Sequence, residues 1–166
     1  MSVLPLYIVP HPVLRMKARP VDTFTDELRE LAGDLIETMY ANDGIGLAAP
    51  QVGRDLQLFV ANPSQRRGRE CVMVNPALDH ASGRAGITEG CLSLPNLWKQ
   101  VNRAARVRMS GRDAFGKPQV IEADGLLAIA LQHEFDHLQG RLLIDRLSWL
   151  RRRLEAKARK AKCAHD

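Results

Sequence analysis

Between residues 26 and 40, apolar side chains recur at Leu28, Leu31, Ala32, Leu35, Ile36 and Met39. Steps of three and four place them on one face, which predicts an amphipathic helix over Asp26 to Tyr40. Thr25 suits the N-cap, Asp26 and Glu27 suit the positive end, and Asn42 and Gly44 end it. The pattern then changes. Leu56 to Val60, Cys71 to Asn75, Ala105 to Ser110 and Gln119 to Ala123 are short and rich in branched residues, with Gly, Pro, Asn and Asp clusters between them. These are expected strands, and Arg112 to Pro118 reads as a hairpin connection. A second helix is predicted from an Asp124 N-cap to Gly140. Its first half, Leu126 to Leu131, is apolar all round, the mark of a buried central helix. A third helix is expected from about Ser148. At the start of the chain, Pro5, Pro10, Pro12 and Pro20 forbid a long helix and suggest an extended, wrapping segment. The expected class is α+β: antiparallel β-sheets packed around a central helix, with a basic C-terminal helix. The expected division is a catalytic domain over 1–147 and a basic tail over 148–166.

A length of 166 residues suits one domain with a real core, and 45% apolar with 26% charged residues is ordinary for a globular protein. No uncharged run reaches the roughly 18 apolar residues that a membrane span needs. The first residues lack a basic region followed by an apolar stretch, so the cytoplasm is the expected compartment and no membrane partner is expected. Three cysteines (Cys71, Cys91 and Cys163) argue against a disulfide framework. Cys71 lies in an apolar run and reads as core. The net charge of +5 is uneven: Met1 to Asp145 holds 16 Lys and Arg against 17 Asp and Glu, the remaining residues eight against two.

The strongest chemical signal is His133-Glu134-Phe135-Asp136-His137. Two His at i and i+4 share a helix face one turn apart, so both imidazoles reach one cation. A carboxylate between them can handle the proton of a water. Burying these groups on an apolar helix without partners would cost several kcal/mol, so the second helix is expected to bind metal. Spacing leaves the third ligand open. A metzincin pattern would need a His where Leu143 stands. A thermolysin-like pattern would use Glu155, which sits among Arg and Lys and suits a solvated helix better. Cys91, in Glu89-Gly90-Cys91-Leu92-Ser93, would complete a Cys-His-His set with a fourth position for water. A buried structural thiol is almost equally compatible with its spacing.

Three segments, Gly44-Ile45-Gly46-Leu47-Ala48-Ala49-Pro50-Gln51, Glu89-Gly90-Cys91-Leu92-Ser93 and Gln132-His133-Glu134-Phe135-Asp136-His137, together resemble the peptide deformylase family in content, order and spacing. The opening from Pro10 to Arg15 and through Pro20-Val21 is similar too, so the likeness runs from about Leu6 to Ser148. It implies removal of the formyl group from the N-terminal formyl-methionine of newly made polypeptides. It also implies one divalent metal ion, Fe²⁺ in the cell and replaceable by Zn²⁺, Ni²⁺ or Co²⁺, held by Cys91, His133 and His137. Glu134 would be the acid/base, while the Gln51 side-chain amide and the Leu92 N–H would stabilise the oxyanion. Gly44, Gly46, Ala48 and Ala49 leave little side-chain bulk, so a substrate backbone would approach there and add as an extra strand, with Gly90 also expected to bind substrate. Ile45 and the helix face near Ile129 would form the methionine pocket, and Arg103 would contact the peptide further along.

Arg151, Arg152, Arg153, Lys157, Arg159, Lys160 and Lys162 make a dense cationic run. Because the rest of the chain is near neutral, solubility alone does not require it, and a basic helix suits phosphate backbones. The resemblance implies docking on the ribosome near the tunnel exit. Trp149 is the one aromatic in the run, so single-strand stacking is not expected, and no DNA partner is. Two other functions fit the residues: a general zinc peptidase, and a ribosome-associated binding module with a structural metal. Glu134 between the two His favours an enzyme, since a structural site does not need it.

Overall fold

A computed structural model describes residues 1–147 and residue 153. Strands β1 (Gly46–Ala48), β2 (Leu58–Ala61), β3 (Cys71–Ser82), β6 (Arg106–Arg112) and β7 (Pro118–Asp124) form one antiparallel sheet in the order β1-β2-β3-β6-β7. Strands β4 (Ala85–Cys91) and β5 (Leu94–Arg103) pair only with each other, as a two-stranded antiparallel sheet. The α+β class with antiparallel sheets is therefore observed.

Side-chain alternation in β2 explains the layering. Leu58, Phe59, Val60 and Ala61 are all fully buried, so both faces of this strand need a cover. On one side α1 (Asp26–Ala41) brings Leu28, Ala32, Leu35 and Met39 against Leu58, Val60 and Val74. On the other, α2 (Gly125–Leu138) brings Ala128, Ala130, Leu131 and Leu138 against Phe59, Ala61, Met73 and Met109. Each fully buried Leu, Phe or Met contributes about 1.5–3 kcal/mol of burial free energy, so α2 is held from its length rather than from its ends.

The predicted helices match closely. Asp124 is the N-cap residue of α2 and Gly140 follows its end at φ +67. A Cβ on Gly140 would approach the carbonyl carbon of Arg15 to 2.8 Å, so glycine serves here for its left-handed backbone and for close chain approach. The N-terminal segment holds no long helix, as expected, but is interrupted by a 3₁₀ turn at Pro12–Arg15. It is tied to the site by Tyr7 N–H to the Gln51 carbonyl (2.8 Å) and Val9 N–H to the Ser93 carbonyl (3.0 Å).

The sheet is larger than the sequence pattern suggests. β3 continues past Asn75 to Ser82, with register shifts at Val74/Ala77 and Leu78/His80. These irregularities break the apolar alternation that marks a strand. Strands β1, β4 and β5 are not anticipated at all. β1 is three residues of Gly, Leu and Ala, and β4 and β5 mix polar with apolar residues and bury few of them fully. Among the described residues no helix is long and apolar enough to cross a membrane. Of the expected third helix, Arg153 alone is described, helical and exposed. The rest of that segment, with Arg151, Arg152 and Lys157, lies outside the described residues.

Candidate metal centre

Helix α2 and the end of β4 bring the site together. One ligand atom each from Cys91, His133 and His137 falls within 4.8 Å of the other two. Cys91 Sγ is 3.3 Å from His137 Nε2, and the two imidazole centroids are 5.1 Å apart. One soft sulfur and two imidazoles form a donor set that suits a divalent transition metal and leaves a coordination position free. The residues therefore fit a catalytic metal ion better than a closed structural one.

The ring orientation of His133 has a structural cause. Glu89 Oε2 lies 2.8 Å from His133 Nδ1 and accepts its proton, which leaves Nε2 for the ligand role. Glu89 is itself gripped by Arg103, through Nε to Oε1 at 2.5 Å and Nη2 to Oε2 at 2.9 Å. Arg103 also donates from Nη1 to Asp136 Oδ2 at 2.8 Å. Arg146 closes the chain on Asp136, through Nε to Oδ2 at 2.8 Å and Nη2 to Oδ1 at 2.5 Å. Burial disfavours the charged form of Glu89, but hydrogen bonds from His133 and Arg103 outweigh it and hold the carboxyl below its usual range. Burial likewise opposes charge on His133. Its hydrogen bonds to Cys91 and Glu89 prevail and raise it to about 10. His137 is driven far the other way, by burial and by the neighbouring positive charges of His133 and Arg103.

Glu134 faces the cavity from the same helix and is buried. Its Oε2 has no hydrogen-bond partner in the protein, so that oxygen is available to a water or to a substrate group. Burial is the main cause that raises its carboxyl to about 7, within the range of a group that exchanges protons at neutral pH. Gly46 makes this position possible. A Cβ there would collide with Glu134 Oε1 and lie 2.8 Å from Cδ. Gly46 also lines the cavity, and the space its missing Cβ leaves is taken by the carboxylate.

Gln51 is buried in the 3₁₀ turn Ala49–Val52. Its Oε1 accepts from Ala48 N–H at 2.9 Å, which turns Nε2 toward Ser93 Oγ (3.2 Å) and Cys91 Sγ (3.8 Å). Leu92 sits in the short connection between β4 and β5. A cavity of about 690 Å³ opens beside these groups, lined among others by Ile45, Gly46, Gln51, Gly90, Leu92 and Ile129.

Arg103 departs from expectation. Its side chain is 1% exposed, and all three guanidinium nitrogens are engaged by Glu89 and Asp136. It does not line the cavity; it stands behind His133 and has no surface left for a peptide. Glu89, Asp136 and Ser93 are working parts of the site that the sequence pattern does not single out. An acid within the second motif and another inside the His-Glu-Phe-Asp-His segment are the available signals. Spacing alone does not reveal which cation they meet. Cys71, expected in the core, is raised to about 12 by burial and packs against the cluster under α2.

The fold and site have close counterparts. The sequence profile of the Polypeptide deformylase family matches residues 3–153. A peptide deformylase of Brucella suis biovar 1 (strain 1330) is 47% identical over 155 residues, covering 92% of this chain and 89% of that protein. The peptide deformylase structure from Legionella pneumophila superposes with a TM-score of 0.90 at 40% identity, covering 99% of this chain and 98% of its own. That from Thermus thermophilus gives 0.90 at 41% identity, covering 98% and 96%. With a profile match across nearly the whole chain and relatives of this identity and coverage, the chain belongs to the polypeptide deformylase family.

Proposed function

We propose that this chain removes the formyl group from the N-terminal formyl-methionine of newly made polypeptides, with Glu134 as the proton-transfer group. The carrying observation is the unpartnered, buried Glu134 Oε2 beside the Cys91, His133 and His137 donors in one cavity. A divalent cation held by those donors would supply Lewis acidity that makes water acidic near neutral pH. Glu134 takes the proton of the attacking water and passes it to the leaving amine, so that an amine and formate separate. The Gln51 Nε2–H, aimed by Ala48, and the Leu92 N–H donate to the oxygen of the attacked carbonyl as its charge grows. Ile45 and Ile129 supply apolar wall for the methionine side chain, and Gly90 admits the substrate backbone. Arg103 acts through Glu89 as a positioning residue for His133.

Fe²⁺ is the cation this reading assigns in the cell, with Zn²⁺, Ni²⁺ or Co²⁺ as substitutes; the mixed sulfur and imidazole set suits all four. The reading places the enzyme in the cytoplasm, with the basic C-terminal run docked on the ribosome near the tunnel exit. Deleting residues 148–166 is expected to abolish salt-dependent ribosome binding in a sedimentation assay, and binding that survives the deletion would overturn the docking role. For the reaction, the test is formate release from formyl-Met-Ala-Ser by anaerobically iron-loaded protein, beside Glu134→Ala and an acetylated peptide. Release from the formyl peptide alone, lost in the variant, is expected. No release at full metal occupancy would return the site to a structural role.

A further inference from the structure

The 3₁₀ turn Leu143–Arg146 touches both halves of the metal centre. Leu143, with Leu147 just after the turn, is buried against Leu94 and Val101 of β5. Arg146 reaches the other way, to α2. It holds both oxygens of the Asp136 carboxylate, through Nε to Oδ2 at 2.8 Å and Nη2 to Oδ1 at 2.5 Å. A two-point grip of this kind fixes direction as well as distance. The Asp136 side chain is 5% exposed and that of Arg146 is 37% exposed. Arg146 is thus the outermost charge of a row that runs inward through Asp136, Arg103 and Glu89 to Nδ1 of His133. Two members of the row are shared. Asp136 Oδ2 accepts from Arg146 Nε and from Arg103 Nη1, each at 2.8 Å. Arg103 divides its donors between one bond to Asp136 and two to Glu89.

We propose that Arg146 is a positioning residue for the metal centre: by neutralising Asp136 it leaves the Arg103 guanidinium to Glu89, and so keeps His133 aimed at the metal. The inference rests on the reading of Cys91, His133 and His137 as metal ligands. Two buried carboxylates, Glu89 and Asp136, compete for one buried guanidinium. With Arg146 in place, each carboxylate has a cation of its own. Without it, Arg103 is the one cation left to Asp136 among the described residues. A buried anion short of a partner attracts a neighbouring cation strongly, so Arg103 is drawn toward α2 and its grip on Glu89 loosens. Glu89 then holds His133 Nδ1 less firmly, and a carboxylate in that place both orients a ligating imidazole and raises its donor strength. The turn that precedes the basic run thereby belongs to the metal centre, although Arg146 does not line the cavity.

The test measures Co²⁺ affinity by chelator competition in the folded, full-length protein, beside the visible absorption of the cobalt-loaded site, whose bands report ligand geometry. Arg146→Met is expected to weaken binding by about tenfold, the lower end of the loss for an outer partner of a ligating His, and to shift the bands. Arg146→Gln, which keeps a donor for Asp136 but no charge, should match it. Arg146→Lys keeps the charge without the planar fork and should return affinity to within about threefold of the wild type. Arg15→Met is the control for the turn itself: it removes the ion pair to Asp145 and does not touch Asp136, and neither readout should move. The deciding comparison uses the isosteric Glu89→Gln background. There Arg146→Met should cost less than about twofold further, because its path to the metal runs through Glu89. Wild-type affinity and bands in Arg146→Met or Arg146→Gln would overturn the proposal. So would a full further loss on top of Glu89→Gln, or an equal loss in Arg15→Met. A wild type that took up no cobalt would remove the metal reading itself, and this inference with it.

Discussion

Helix α2 and the β4–β5 hairpin meet at the metal centre but are held there by different forces. α2 is embedded: Ala128, Ala130, Leu131 and Leu138 are buried in the core between helix and sheet. The hairpin belongs to no larger sheet, and its apolar support is a small cluster of Leu94, Val101, Leu143 and Leu147. Its link to α2 is polar instead, running through Glu89 to His133 and Arg103 to Asp136, while Gln51 of the 3₁₀ turn Ala49–Val52 ties to Ser93. Apolar burial is strong but non-directional, which suffices for a helix whose own geometry sets the His spacing. Cys91 needs a fixed place relative to another element, and directional ion pairs supply it. The difference predicts that the helix half fails by unfolding and the hairpin half by misplacement.

The largest expected effect should ignore the comparison. Cys91→Ala and His137→Ala each remove one of three donors, so both should abolish stoichiometric metal, read by elemental analysis of purified protein. Near-full occupancy in either variant would break the equivalence of the two halves. Next come the groups that act on substrate. Glu134→Gln should lower kcat by about 10²–10⁴ with metal retained. Gln51→Leu, on the opposite wall, should lower it by about 10²–10³.

A sharper separation comes from pairing one variant in each region. Leu131→Ala should cost about 2–5 kcal/mol in denaturant unfolding, with metal affinity of the folded protein retained. Arg103→Met leaves Glu89 and Asp136 buried with fewer partners, at a cost of about 3–5 kcal/mol. It should also weaken metal binding by roughly 10–100-fold through the loosened His133. If chelator competition showed the same metal affinity in both variants, the division between burial and positioning would be wrong.

The smallest effect is in acid. Glu89 is held below its ordinary carboxyl value of 4.5 in the folded protein. Its contribution is therefore present above that value and is lost as pH falls through the lower, folded one. Thermal unfolding between about pH 7 and pH 3 should show a steeper acid limb for the wild type than for Glu89→Gln. Parallel limbs would remove Glu89 as the acid-sensitive link between hairpin and helix.

Legibility in the sequence follows the same division. The spacing of His133, Glu134 and His137 is a property of one helix, and both ends of α2 carry readable signals in Asp124 and Gly140. Cys91 is nearly even between ligand and buried thiol from its own neighbours; only the likeness to a family separates the two. The strands that carry Cys91 and Arg103 escape notice because β4 and β5 have little alternating apolar character. Arg103 reads as a peptide contact because a sequence shows a charge and not the carboxylates that surround it. Gly46 reads as a place where bulk is excluded, and the structure shows that a Cβ there would meet Glu134.

Local order along the chain determined both long helices, the two-His face, the glycine-rich turn and the basic charge of the last residues. These depend on periods of a few residues, which caps, apolar faces and side-chain spacing express directly. Tertiary structure alone decided that Cys91 reaches the two His and that Arg103 stands behind the site. Each joins residues far apart in the chain, or sets burial against exposure within one strand. That outcome depends on which surfaces the folded sheets and helices leave for one another.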